Sequence, residues 1–241
     1  MQIDANGGLA ALFQGTIFWL PCTLAIYAGS VFLFRCSGKS PILNPTLLTI
    51  AGVALVLLAS GVSYETYFQD VAILHYLLGT AVVALAIPLN RNLERLRGRG
   101  LSMACALVAG SFASILVGLA VAVVAGLSAS TILSLAPKSA TAAVSIEISS
   151  LIGGAPAVTA TLTILTGIIG AVAGPYVLNL CGIHAPEARG FALGVASHGI
   201  ATARAFTESE VAGSFAGLGM ALNAVLTALA VPPIVGALGL G

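Results

Sequence analysis

The chain has 241 residues, a formal net charge of +1, 59% hydrophobic residues and only 7% charged ones, with a mean hydropathy of +1.08. This excludes a soluble globular balance and leaves no electrostatic footprint for nucleic acid. What remains is an all-α polytopic membrane protein, with room for about seven to eight crossings or half-crossings of roughly 20 residues each.

Met1 to Gly8 carries no basic cluster, so no cleavable leader is expected. Apolar runs then predict helices over Leu9–Phe34, Pro41–Ser60, Val71–Leu89 and Leu101–Leu127. Asn44 and Pro45 suit the start of the second, as cap and first-turn residue. Six of the nine Lys and Arg fall in two short loops, Arg35 and Lys39, then Arg91, Arg95, Arg97 and Arg99. The intervening loop carries Glu65 and Asp70, so the basic loops are expected in the cytoplasm and the N-terminus outside. Tyr64 and Tyr67 are expected as aromatic anchors at the outer interface, and His75 as an interfacial residue. Two later runs cover Ala155–Cys181 and Val211–Leu238. The whole reads as one transmembrane domain, residues 1–241, with N-terminal helices over about 9–127, a polar broken-helix core over about 135–209 and a C-terminal helix over about 211–238.

Two stretches depart from ordinary membrane helices: LAPKSATAAVSIEISSLIGG (Leu135 to Gly154) and GVASHGIATARAFTES (Gly194 to Ser209). Polar side chains and irregular backbone at membrane depth are tolerated where they are buried in protein or line a water-filled cavity. If Pro137 opens a helix, Lys138, Thr141, Ser145 and Ser149 share one face and Glu147 lies nearly opposite. Such a stripe at a helix start can hold an anion; the plainer reading is close helix packing, with Lys138 snorkelling. Glu147 pairs with a buried cation, relays a proton, or faces the rim. In the second stretch His198 and Thr202 share one face, and Ser197 and Arg204 another. Gly194 and Gly199 leave the backbone free to unwind there. Arg204 can fork onto a carboxylate, and His198 can donate a hydrogen bond or titrate near neutrality. Alternatively His198 is a satisfied packing residue and Arg204 snorkels.

Other features are quieter. His184, Glu187 and Arg189 surround Pro186 in what reads as a solvated loop. Small-residue pairs at Gly170 and Gly174, Gly190 and Gly194, and Gly213 and Gly217 predict tight helix packing, and a homodimer is compatible with them. Cys22, Cys36, Cys105 and Cys181 lack metal-like spacing, so neither disulfides nor a metal site is expected, nor any cofactor. No nucleophile elbow, HExxH, P-loop or dinucleotide fingerprint occurs, and no enzymatic activity is expected. A faint echo between Leu77–Leu89 and Leu135–Glu147 suggests an inverted repeat, as in elevator-like carriers, or Ala-rich chance.

The runs SYETYFQDVAILHYLLGTAVVALAIPL, LAPKSATAAVSIEISSLIGGAPAVTA and GFALGVASHGIATARAF, in this order, resemble the LrgB/CidB family of bacterial membrane proteins over nearly the whole chain. The resemblance implies a multi-pass protein of the bacterial cytoplasmic membrane. It also implies one of two functions: regulation of murein hydrolases and autolysis together with a small LrgA/CidA-type partner, or transport of small monocarboxylates, as in related glycolate/glycerate and pyruvate carriers. A carboxylate anion held near the midplane would use Lys138, Ser139, Thr141, Ser197, His198, Thr202 and Arg204, with His198 or Glu147 coupling an ion or proton. The family commonly has proline where Thr80 and Ala142 stand, so milder helix breaks are expected here.

Overall fold

The computed structural model describes residues 16–38, 43–84, 86–96 and 98–239, and its described residues are all-helical or loop. The chain divides into two compact units, Met1–Ala84 and Leu85–Gly241. Among the described residues, four helices are long and apolar enough to cross a membrane, and a bent pair adds a fifth candidate. The protein is a multi-pass α-helical membrane protein.

In the first unit, α1 (Thr16–Cys36) packs on α2 (Pro45–Ser60), followed by α3 (Tyr64–Asp70) and α4 (Ala72–Ala84). Asn44 caps α2 as expected, its side-chain oxygen accepting from the Thr46 and Leu47 amides at 2.9 and 3.3 Å. The chain bends by 117° between α2 and α3. That bend returns Tyr67 to α1, where its ring meets Trp19 edge-on and its hydroxyl lies 3.1 Å from Thr23 Oγ1. Tyr64 stays exposed, as an interfacial anchor requires. Thr80 causes no break: α4 runs through it, with the hydroxyl bonded to the Leu77 carbonyl. The start of the Leu9–Phe34 run, Lys39, Arg97 and the His75 side chain lie outside the described residues.

The second unit begins with two short helices, α5 (Ala86–Arg91) and α6 (Leu93–Leu96), and continues with α7 (Gly100–Val124). It ends with α12 (Glu210–Ala237), which runs parallel to α7. Met103 and Leu107 pack near Phe215, Ser111 bonds Asn223, and Ala122 clusters with Val235. The unit therefore has a basic end, where α7 and α12 start beside Arg91, Arg95 and Arg99, and an opposite end where both finish.

Between α7 and α12 the chain inserts one hairpin from each end, with one crossing helix between them. From the opposite end, α8 (Ala129–Leu135) doubles back along α7, so that Lys138 Nζ reaches the Ser114 carbonyl at 3.0 Å. After a non-helical turn, α9 (Ala142–Leu151) returns toward the same end. There Ser134 Oγ accepts from the Ala155 amide at 2.8 Å and ties the base of this first hairpin. Pro137 therefore does not open a helix: it lies in the turn, and Ala142 is the first helical residue. Then α10 (Pro156–Leu180) crosses to the basic end.

The segment α11 (Pro186–Glu208) is helical on both sides of a backbone reversal at Ser197 and His198. In a straight helix, residues 19 apart would be separated by about 28 Å. Instead Arg189 Nε donates to Glu208 Oε2 at 3.1 Å, which closes the base of a second hairpin. Packing gives the same direction. Gly190 and Gly194 lie on the backbone of Ala212 and Ala216, parallel to α12, whereas Gly199 faces Met220 and Phe206 faces Gly213, antiparallel to it. Any side chain at Gly190 or Gly194 would overlap an α12 carbonyl, so these small-residue faces are occupied within the chain.

His184, Glu187 and Arg189 were expected in a solvated loop, but Glu187 and Arg189 belong to α11, and Glu187 is 9% exposed. The sequence echo does not mark the inversion either. Its first copy is continuous helix up to Ala84, and its second is the broken tip of the first hairpin. The inverted pair is the two hairpins themselves.

Candidate functional site

The two hairpin tips converge. At the first, Asn223 Nδ2 of α12 donates to the Ser139 carbonyl at 2.9 Å. At the second, Thr202 and Gly199 approach the sulfur of Met220, one turn earlier on the same helix. On the other side α10 gives the same result: Thr159 Oγ1 donates to Ser149 Oγ at 2.6 Å, and the Thr163 carbonyl lies 2.9 Å from His198 Nε2. Residues 159 and 163 are successive positions on one helical face. Because α9 runs back along α10, Ser145 comes level with Thr163 and the start of α9 level with Gly167. The His198 ring lies against Gly167, where a side chain would displace it. Two turns inserted from opposite ends thus reach one level of the bundle.

The local chemistry follows from how each tip is made. The first tip is held largely by uncharged bonds: Ser145 Oγ donates to the Pro137 carbonyl at 2.7 Å, and the Ser139 carbonyl accepts from Asn223 as above. Thr141 is the N-cap of α9, yet its side chain does not cap the helix, which leaves the first-turn amides of Ala142, Ala143 and Val144 without a cap from it. The second tip places His198 at φ 44, ψ −137, a left-handed conformation costing on the order of 1–3 kcal/mol for a side-chain-bearing residue. The ring bond to Thr163 and the Thr202 hydroxyl bond to the His198 carbonyl, at 2.8 Å, hold it there.

Among the expected site residues, Ser139, Ser197, His198 and Thr202 are buried, and Thr141 is half-buried at the start of α9. Lys138 points away from the tips, to the Ser114 carbonyl and hydroxyl of α7. It borders an open groove of about 480 Å³ walled by Val117, Gly118, Val121 and Leu135. Arg204 is half-buried in the return arm and donates to Thr207. Glu147 is exposed on the outer side of α9, opposite Ser145 and Ser149, as the helical geometry predicts.

Several buried polar residues were not anticipated. Asn223 accepts from Ser111 Oγ and, at 3.4 Å, from Thr227 Oγ1, giving a wholly buried knot beneath the first tip. Thr163 is also wholly buried, and its hydroxyl has no hydrogen-bond partner among the described residues; the same is true of the Ser139 hydroxyl. An asparagine near the middle of an apolar 28-residue helix, and threonines at 159 and 163, were legible as intramembrane polar groups.

At the basic end, Glu187 accepts from Arg95 at 2.8 Å and lies 3.5 Å from Arg99. The Arg95 hydrogen bond, then its own backbone amide and the Arg99 charge, hold its carboxyl below the usual glutamate range against the opposing effect of burial. Arg189 adds bonds to Asn179 Oδ1 at 2.7 Å and the Ile183 carbonyl at 2.9 Å. Arg91 lies 3.7 Å from Glu210.

A family model described as the LrgB-like family matches residues 23–237, all of the second hairpin and most of the chain. The chain belongs to the LrgB-like family. Relatives of this LrgB-like chain include the holin-like protein CidB of Staphylococcus epidermidis, 33% identical over 82% of this chain and 86% of the relative. The protein of the same name from Staphylococcus aureus is 32% identical over 81% and 86%. YwbG of Bacillus subtilis is 36% identical over 78% and 84%. No solved structure matches this LrgB-like chain.

Proposed function

We propose that this protein is a secondary carrier of small monocarboxylates, such as pyruvate, lactate or glycolate, in the bacterial cytoplasmic membrane. The observation supporting this reading is the meeting of two oppositely inserted hairpin tips on adjacent turns of α12. A carrier needs a site at mid-depth that is closed from each side by a separable element, and broken helices in an inverted pair provide both. Ser139, His198 and Thr202 would be part of that site. By the positive-inside rule the second hairpin enters from the cytoplasm and the first from outside, with the N-terminus outside.

The experiment is uptake of labelled acids by purified protein in liposomes. The expected result is saturable uptake of at least one acid, lost in His198→Ala while the protein stays folded. Absence of uptake across a broad acid panel, with autolysis still altered in cells, sinks the carrier reading.

The second reading is an antiholin-like regulator of murein hydrolases, and the names of the staphylococcal relatives favour it. It calls for a small LrgA/CidA-type membrane partner, whose co-purification with this chain is its own test. A packing role gives no reason for buried hydroxyls without partners, which is why the carrier reading is preferred. A homodimer draws no support from the glycine faces, which are covered within the chain.

A further inference from the structure

Among the described residues of the second unit, two wholly or almost wholly buried hydroxyls have no hydrogen-bond partner: Ser139, 1% exposed, and Thr163, 0% exposed. Leaving a buried hydroxyl unpaired is costly, so a pair of them is an unusual feature in so tightly bonded a region. Ser139 lies at the uncapped start of α9, and Thr163 lies about one turn further in, level with Ser145. Ser139 is two residues before its N-cap, Thr141. Thr163 is one turn along α10 from Thr159, whose hydroxyl already reaches α9 at Ser149. The same face of α10 therefore directs the Thr163 hydroxyl at the first half of α9. The next position on that face, Gly167, meets the His198 ring. The hydroxyl sits between an existing α9 contact and the second tip.

The bonds that the two nearby cations make lead to other partners. Lys138 donates to Ser114 on α7, and Arg204 to Thr207 in its own arm. An uncapped helix start favours negative charge, and away from water a few fixed neutral donors bind an anion strongly.

We propose that the carboxylate is held by uncharged donors, namely the first-turn amides of α9 and the hydroxyls of Ser139 and Thr163, and not by a lysine or arginine. This rests on the carrier reading and adds the chemistry of recognition. Thr163 thereby becomes a binding residue on a helix outside both hairpins. The positive charge that accompanies the anion across the bilayer is then not a fixed residue of the site.

The test is equilibrium binding of the transported acid to purified full-length protein, beside thermal unfolding without ligand. Thr163→Val and Ser139→Ala remove hydroxyls that bond no other described group of the protein. Each is expected to weaken binding about tenfold or more, as for a bond to a charged group. The unliganded melting temperature should stay unchanged or rise, which a merely structural role would not produce. Thr161→Val, on the exposed side of α10 with its hydroxyl bonded within the helix, should leave affinity unchanged. Unchanged affinity in both Thr163→Val and Ser139→Ala overturns the inference, most directly if Lys138→Met or Arg204→Gln abolishes binding while the protein stays folded. In that case the carrier reading stands. If the wild-type protein neither binds nor transports any acid, the carrier reading fails and this inference with it.

Discussion

The two hairpins solve one problem with different chemistry. The first is held mostly by neutral groups, Ser134 at its base and Ser145 and Asn223 at its tip, with Lys138 on the uncharged oxygens of Ser114. The second has a tight, strained tip at His198 and a base fastened by charge, with Arg189 on Glu208 and Arg95 and Arg99 on Glu187. A charge at membrane depth is costly, whereas at the basic end water and counter-charges reduce that cost. Ion pairs can therefore gather where the second hairpin begins and ends, and the mid-depth tips rely on hydroxyls, carbonyls and an amide. The comparison also says which hairpin responds to conditions. Acid and salt act on the ion pairs of the second, and the neutral bonds of the first do not respond to either.

Four substitutions break or sharpen that contrast. Gly194→Leu drives a side chain into the Ala216 carbonyl, so the second hairpin cannot seat on α12. The expected outcome is loss of folded protein, read as collapse of the monodisperse peak in detergent chromatography. Glu208→Gln leaves Arg189, whose side chain is 12% exposed, without its carboxylate and should cost on the order of 3 kcal/mol. The corresponding cut in the first hairpin, Ser134→Ala, removes neutral bonds and should cost about 1 kcal/mol. Thermal unfolding in detergent ranks the pair, and equal losses would undo the contrast. Asn223→Ala leaves the Ser139 carbonyl and Ser111 hydroxyl without their partner, for about 2 kcal/mol. Its effect should be independent of salt, unlike that of Glu208→Gln.

The smallest effect is a pH dependence. Glu187 has its carboxyl held below the usual range in the folded state, so its contribution is fully present above the unfolded value of about 4.3. That contribution is lost as pH falls through the lower folded value. Glu187→Gln should therefore cost up to about 1 kcal/mol at pH 7. It should also flatten the acid-side fall in melting temperature, and an unchanged profile would remove Glu187 from the clamp.

Much of this was legible in residue order. Hydropathy placed α7, α10 and α12 to within a few residues, because each has a continuous apolar face for lipid. The two polar stretches stood out for the converse reason, and both turned out to be broken. The first break is not softened by the missing proline. Ala142 occupies the first helical position, where proline is favoured but not required, and the turn before it is held by Ser145 and Asn223. At Thr80 the expectation of a milder break was sound.

Composition and periodicity alone determined the membrane class, the apolar helices and the two anomalous segments, because those depend on local transfer energetics. Only the tertiary structure decided that Pro186–Glu208 folds back on itself, since a helix and a hairpin of helices share one periodicity. It also decided that Lys138 and Arg204 bond away from the tips, while Thr163 and Asn223, on helices that read as plain spans, face them. Which polar group meets which depends on pairings between residues far apart in the chain, and helical spacing within one segment carries no record of them.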